Sequence, residues 1–205
     1  MYRYTAIGDS LTAGTGALPG NGFAPLYSRS IEKYSGTRVL YQNLGVNGMT
    51  CPELLRNVAS SSVYRTALVQ ADIITVSIGG NDLIRLAKSS GSKNIRSELA
   101  RLQGCLHQTL AGLYSIKAGS RSPFLIRFVG LYNPFPEMPE AVLGIRSFNA
   151  SLSSLSGPYC RVAHIYREFE GRERQLLSVD GIHPNGRGYR VIAARLNKLG
   201  FAPLF

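Results

Sequence analysis

Short apolar, β-prone runs alternate along the chain with longer stretches in which apolar residues recur every three or four positions. Residues 2–7, 37–44, 72–78, 124–131 and 161–166 read as strands. Residues 72–78 carry Ile73, Ile74, Val76 and Ile78, an almost continuous β-branched run of the kind expected for a central parallel strand covered on both faces. Between the strands, the spacing predicts helices over about 23–34, 63–69, 95–116, 139–155 and 188–198. The longest of these has Leu99, Leu102, Leu106, Leu110 and Leu113 on one face. Thr50 with Glu53 three residues on forms a capping box, so a further helix starts near Cys51. Strict strand–helix alternation calls for an α/β fold with a parallel sheet, right-handed crossovers and helices on both faces. At 205 residues the chain suits a single domain spanning 1–205.

The loops after the first three strands, and the loop before the last helix, each hold a polar or glycine-centred cluster: Gly8-Asp9-Ser10, 43–50 with Gly48, Gly79-Gly80-Asn81-Asp82, and Asp180-Gly181-Ile182-His183. In an open parallel sheet such loops converge at the carboxyl edge, where ligands bind. A serine hydroxyl there needs a base to take its proton and a third group to hold that base in one tautomer. Ser10, His183 and Asp180 fill those roles. Donors for a developing oxyanion would be the Ser10 and Gly48 backbone N–H groups and the Asn81 amide. Each residue also has a plainer reading: His183 as a loop residue capping the last helix, Gly48 as a turn residue, Asn81 as the cap of a helix beginning near Leu83. Tyr132, Pro134 and Phe135, in the loop after the fourth strand, either line an acyl groove or pack beneath it. Gly14, Gly16, Gly20 and Gly22 approach a dinucleotide fingerprint but miss its spacing by one residue. Position 12 is Thr, so Ser10 does not stand in a GxSxG elbow.

The composition is 44% hydrophobic and 17% charged, ordinary for a globular protein. Strand-like sequence begins at Tyr2, with no basic leader, apolar signal core or membrane-spanning run, which predicts synthesis in the cytoplasm. The net charge of +11 suits nucleic acid, an anionic membrane surface, a polyanionic wall polymer or solubility alone. Its basic residues are dispersed with no aromatic interleaving, which argues against nucleic acid and leaves peripheral contact with anionic lipid open. Cys51, Cys105 and Cys160, odd in number and far apart, read as free thiols rather than a disulfide framework. Arg127 interrupts an apolar strand, so it is expected to be paired or to lie at an exposed edge.

The four clusters, in their order along the chain, resemble the four motif blocks of the GDSL, or SGNH, hydrolases. The resemblance implies a flavodoxin-like, three-layer α/β/α sandwich with a five-stranded parallel sheet. It also implies a serine esterase or lipase with nucleophile Ser10, base His183, orienting Asp180 and an oxyanion hole of Ser10, Gly48 and Asn81, needing no metal or organic cofactor. Residues 4–12, 131–136, Phe148-Asn149, Gly171-Arg172-Glu173 and Arg187-Gly188-Tyr189 resemble more narrowly the spore-associated, phospholipase B-type lipases of that family. That similarity implies a phospholipid or other acyl-lipid ester as substrate, a role in germination, and a place in the spore coat, which a leaderless protein can reach from the mother cell. Two rival readings are a carbohydrate or peptidoglycan O-acetyl esterase, and an inactive coat or binding protein on the same fold.

Overall fold

A computed structural model describes residues 1–88 and 95–205. In chain order the elements are β1 (Tyr2–Gly8), α1 (Ser10–Ala13), α2 (Phe23–Ser35), β2 (Val39–Gly45), α3 (Cys51–Ser60), α4 (Ser62–Gln70), β3 (Ile73–Ser77) and α5 (Gly80–Lys88). They continue as α6 (Ile95–Lys117), β4 (Leu125–Val129), α7 (Pro139–Ser153), β5 (Cys160–Ala163), α8 (Tyr166–Phe169), α9 (Glu173–Leu176) and α10 (Gly186–Lys198). The five strands form one parallel sheet in the order β2-β1-β3-β4-β5. Every residue of β3 and of β4 is buried, because helices cover both faces. On one face Tyr4, Phe23, Tyr27, Tyr189, Ile192 and Leu196 join the sheet to α2 and α10. On the other, Ile7, Leu54, Leu68, Leu106, Ile126 and Phe148 join it to α3, α4, α6 and α7.

This strand order places the site. From β1 the chain crosses to β2 on one side, and β3 returns to pair with β1 on the other, so a topological switch point lies at the carboxyl ends of β1 and β3. Ser10 follows β1 and Asn81 follows β3. The two strand ends approach so closely at Gly8, with φ +130°, that a Cβ there would collide with the Ser77 carbonyl. Only glycine lets the chain leave β1 at that point.

Three features depart from the sequence reading. Cys51, at the start of α3, is joined by a disulfide to Cys105 in α6, leaving Cys160 as a buried free thiol. Their sequence separation of 54 hid a pairing that the packing of α3 on α6 creates. Arg127 lies in interior strand β4, fully buried, with no exposed edge and, among the described residues, no carboxylate partner. Its guanidinium instead donates to the carbonyls of Ile126 (3.1 Å), Gly200 (3.2 Å) and Tyr159 (3.5 Å). Finally, α1, α8 and α9 were not expected, since four residues span barely one helical turn and show no periodicity.

Candidate active site

The Gly8-Asp9-Ser10 turn is built by Asp9. Its buried carboxylate caps α1 by accepting the Leu11 amide (3.0 Å) and also accepts the Ser77 hydroxyl (2.7 Å). Ser77 in turn sits 2.6 Å from the Thr12 hydroxyl and accepts the Thr12 amide at 3.1 Å. Burial raises the Asp9 carboxyl above its usual range despite those two donors. Neither Asp9, Thr12 nor Ser77 was singled out as a site residue, because hydrogen bonding between strand ends leaves no local sequence signal. Together they hold Ser10 at the first position of α1, 9% exposed.

The loop before α10 delivers the other two groups. Ser10 Oγ lies 3.0 Å from His183 Nε2, and His183 Nδ1 lies 2.6 Å from Asp180 Oδ2. The second Asp180 oxygen accepts the amides of Ile182 and His183 and the Ser178 hydroxyl, each at 2.9 Å. Partial burial would raise the Asp180 carboxyl, but the His183 ring and these three donors hold it well below the usual carboxylate range. An ionised Asp180 can only accept, so Nδ1 carries the proton and Nε2 presents its lone pair to the Ser10 hydroxyl.

This loop is braced from three sides. The Tyr132 hydroxyl donates to the Ile182 carbonyl at 2.5 Å, while its ring stacks on Phe169 with centroids 4.3 Å apart. Tyr132 is 7% exposed, so it supports the loop from beneath rather than lining an open groove. Asn185 caps α10, accepting the amides of Arg187 (2.8 Å) and Gly188 (3.1 Å). Gly16 packs against the loop so tightly that a Cβ there would lie 2.7 Å from the Pro184 carbonyl oxygen and 2.9 Å from His183 Cβ. Pro134 and Phe135 are half-buried, and the Phe135 amide closes a local turn on Asn133 at 3.0 Å. No hydrogen bond or ring contact joins either to Ser10, His183 or Asp180 among the described residues.

Besides the Ser10 N–H, the candidate oxyanion donors stand on the remaining two loops. The backbone N–H groups of Ser10 and Gly48 have no acceptor among the described residues. Asn81 falls in the first turn of α5, and its side-chain amide donates to the Met49 carbonyl at 2.9 Å, leaving its second N–H available. Asp82 reaches beyond its own helix. It accepts the Cys51 amide through both oxygens, at 3.0 and 3.2 Å, and so ties the start of α5 to the start of α3. Burial pushes the Asp82 carboxyl up to about 6, with the Cys51 amide opposing the shift. The Thr50 amide donates to Glu53 at 2.7 Å, as the capping box predicts, and the Thr50 hydroxyl also donates to that carboxylate at 2.7 Å.

The five-stranded parallel sheet with helices on both faces is the fold of the SGNH hydrolases. The GDSL-like lipase/acylhydrolase family matches residues 6–191, and the chain belongs to that family. It is 31% identical to the spore germination lipase LipC of Bacillus licheniformis, over 98% of each chain. The crystal structure of the lipase Lip_vut3 from a goat rumen metagenome superposes with a TM-score of 0.93 at 32% identity, covering all of both chains. A family 3 carbohydrate esterase from Clostridium thermocellum shares the fold, with a TM-score of 0.68 at 19% identity over 96% of this chain and 94% of its own. Among the described residues, no helix is long and apolar enough to cross a membrane.

Proposed function

We propose that residues 1–205 form one serine hydrolase domain that cleaves carboxylic esters of acyl lipids, phospholipids among them, through an acyl-Ser10 intermediate. The hydrogen-bonded line from Ser10 Oγ through His183 to Asp180 carries this reading. As Ser10 Oγ attacks the acyl carbonyl, its proton passes to His183 Nε2, and Asp180 stabilises the imidazolium. The oxyanion accepts from the Ser10 and Gly48 N–H groups and the Asn81 amide. His183 then protonates the departing alcohol, and the same groups activate water to release the acid.

Similarity to two proteins named as lipases supports acyl lipids as the substrate class, and the LipC name supports a role in spore germination; a phospholipase B-type specificity and deployment in the spore coat rest on the motif resemblance alone. The net charge of +11 suits contact with anionic lipid. Turnover of p-nitrophenyl acetate, butyrate and palmitate by wild type and Ser10→Ala tests the reading. Loss of at least about 10³-fold in Ser10→Ala with long-chain turnover in wild type is the expected result. Turnover confined to acetate would favour the O-acetyl esterase instead, and none on any ester would favour a silent binding protein.

A further inference from the structure

Beside the candidate active site runs a groove of about 580 Å³ between the loop after α1 and the start of α10. Arg174, Arg187 and Arg190 line it, and among the described residues no carboxylate does. All three are exposed, and none takes part in an ion pair among the described residues. Glu173, next to Arg174 in the chain, accepts the Gly171 amide, and Asp180 is hydrogen-bonded to His183; neither carboxylate lines the groove or pairs with its arginines among the described residues. The groove is therefore a concentrated share of the molecule's positive charge.

Two apolar side chains stand next to it. Leu18, on the groove wall, is 76% exposed, and Val179 is fully exposed one residue before Asp180. Their loops touch, because Gly16 abuts Ser178 and His183. A lone exposed leucine or valine is ordinary. Here Leu18 shares the groove wall with three guanidinium groups, and Val179 stands on the adjoining loop that carries His183, which the Leu18 loop touches at Gly16.

We propose that this face is where the protein seats on an anionic lipid surface. Free phosphate or nucleic acid would satisfy the arginines and leave Leu18 and Val179 in water. A lipid interface meets both demands, with headgroup phosphates for the guanidinium groups and acyl carbon for the apolar tips. The proposal rests on the ester-hydrolase reading only for its consequence, that a lipid ester is presented beside Ser10.

The test is co-sedimentation of the full chain with vesicles of phosphatidylcholine, with and without phosphatidylglycerol, at low and high salt, with p-nitrophenyl butyrate turnover measured on the same preparations. Wild type should bind the anionic vesicles far better than the neutral ones and release them at high salt. Arg174→Gln/Arg187→Gln/Arg190→Gln should lose at least about tenfold in vesicle affinity, and Leu18→Ser a few-fold, with melting temperature and butyrate turnover unchanged. Wild-type affinity in the triple variant, equal binding to neutral vesicles, or equal affinity for a DNA duplex would overturn the proposal. Vesicle binding that depends on the arginines in a protein without esterase turnover would instead sink the hydrolase reading and leave the docking surface standing.

Discussion

The hydroxyl of Tyr132 donates to the carbonyl of Ile182 at 2.5 Å, one residue before His183. A side chain in the loop after β4 thereby holds the loop that carries the proposed base. Tyr132→Phe keeps the stacking on Phe169 and removes only this bond. It should cost about 1 kcal/mol of stability. A misplaced base slows chemistry more than binding, so kcat should fall roughly three- to thirtyfold with KM little changed. Steady-state kinetics on a soluble ester checks this, and an unchanged kcat would remove the loop-setting role.

Gly16 presses on the same loop from the other side. Its φ of +91° disfavours any side chain, and a Cβ would crowd His183 and the Pro184 carbonyl. Gly16→Ala should lose about 1–3 kcal/mol in chemical denaturation and most of its esterase activity. Gly20, also at positive φ but with open space around it, is the control. Its alanine variant should lose stability through backbone strain and keep kcat.

Asp82 gives the fold a pH dependence of defined sign. Its carboxyl, raised to about 6 by burial, keeps a proton between roughly pH 4 and 6 that the unfolded chain has already lost. The folded state binds more protons in that window, so this contribution is fully present below pH 4 and is lost as pH rises through 6. Asp82→Asn removes the titration while its side-chain carbonyl still accepts the Cys51 amide. The wild type should therefore lose on the order of 2 kcal/mol relative to Asp82→Asn between pH 4 and 7, read from paired urea melts. Asp180 works in the opposite direction, since its lowered carboxyl contributes stability above pH 4 that disappears on acidification.

The Cys51–Cys105 disulfide closes a long loop across α3 and α6. Cys105→Ser, or reduction of the wild type, should cost about 2–4 kcal/mol, which corresponds to a fall in Tm of roughly 5–15 °C for a chain of this size. Equal Tm for the oxidised and reduced protein would show that α3 and α6 are held by their apolar contacts alone.

The strand–helix order and the four loop clusters are legible in the sequence. Strand positions follow from β-branched runs such as 72–78, and the long α6 from its leucine spacing, because both are local periodicities. Asp180 and His183 sit three residues apart, so their contact is readable within one loop, and the strand ends beside Gly8 and Gly79 make Ser10 and Asn81 the candidates. What stayed hidden depends on distance across the fold. The disulfide exists because α3 meets α6, Tyr132 is a brace because the loop after β4 meets the Ile182 carbonyl, and Asp82 reaches beyond its own helix to α3. Arg127 misled because the chain's own carbonyls, Gly200 among them, stand in for a carboxylate partner.

The most direct test of the Ser10–His183–Asp180 reading is covalent trapping. The wild-type chain is treated with a fluorophosphonate and digested, and the modified peptide is located by mass spectrometry. A single adduct on Ser10, absent in Ser10→Ala and formed at least about 10³-fold more slowly in His183→Ala, is the predicted result. An adduct on another residue, or labelling of Ser10 that is indifferent to loss of His183, would contradict it.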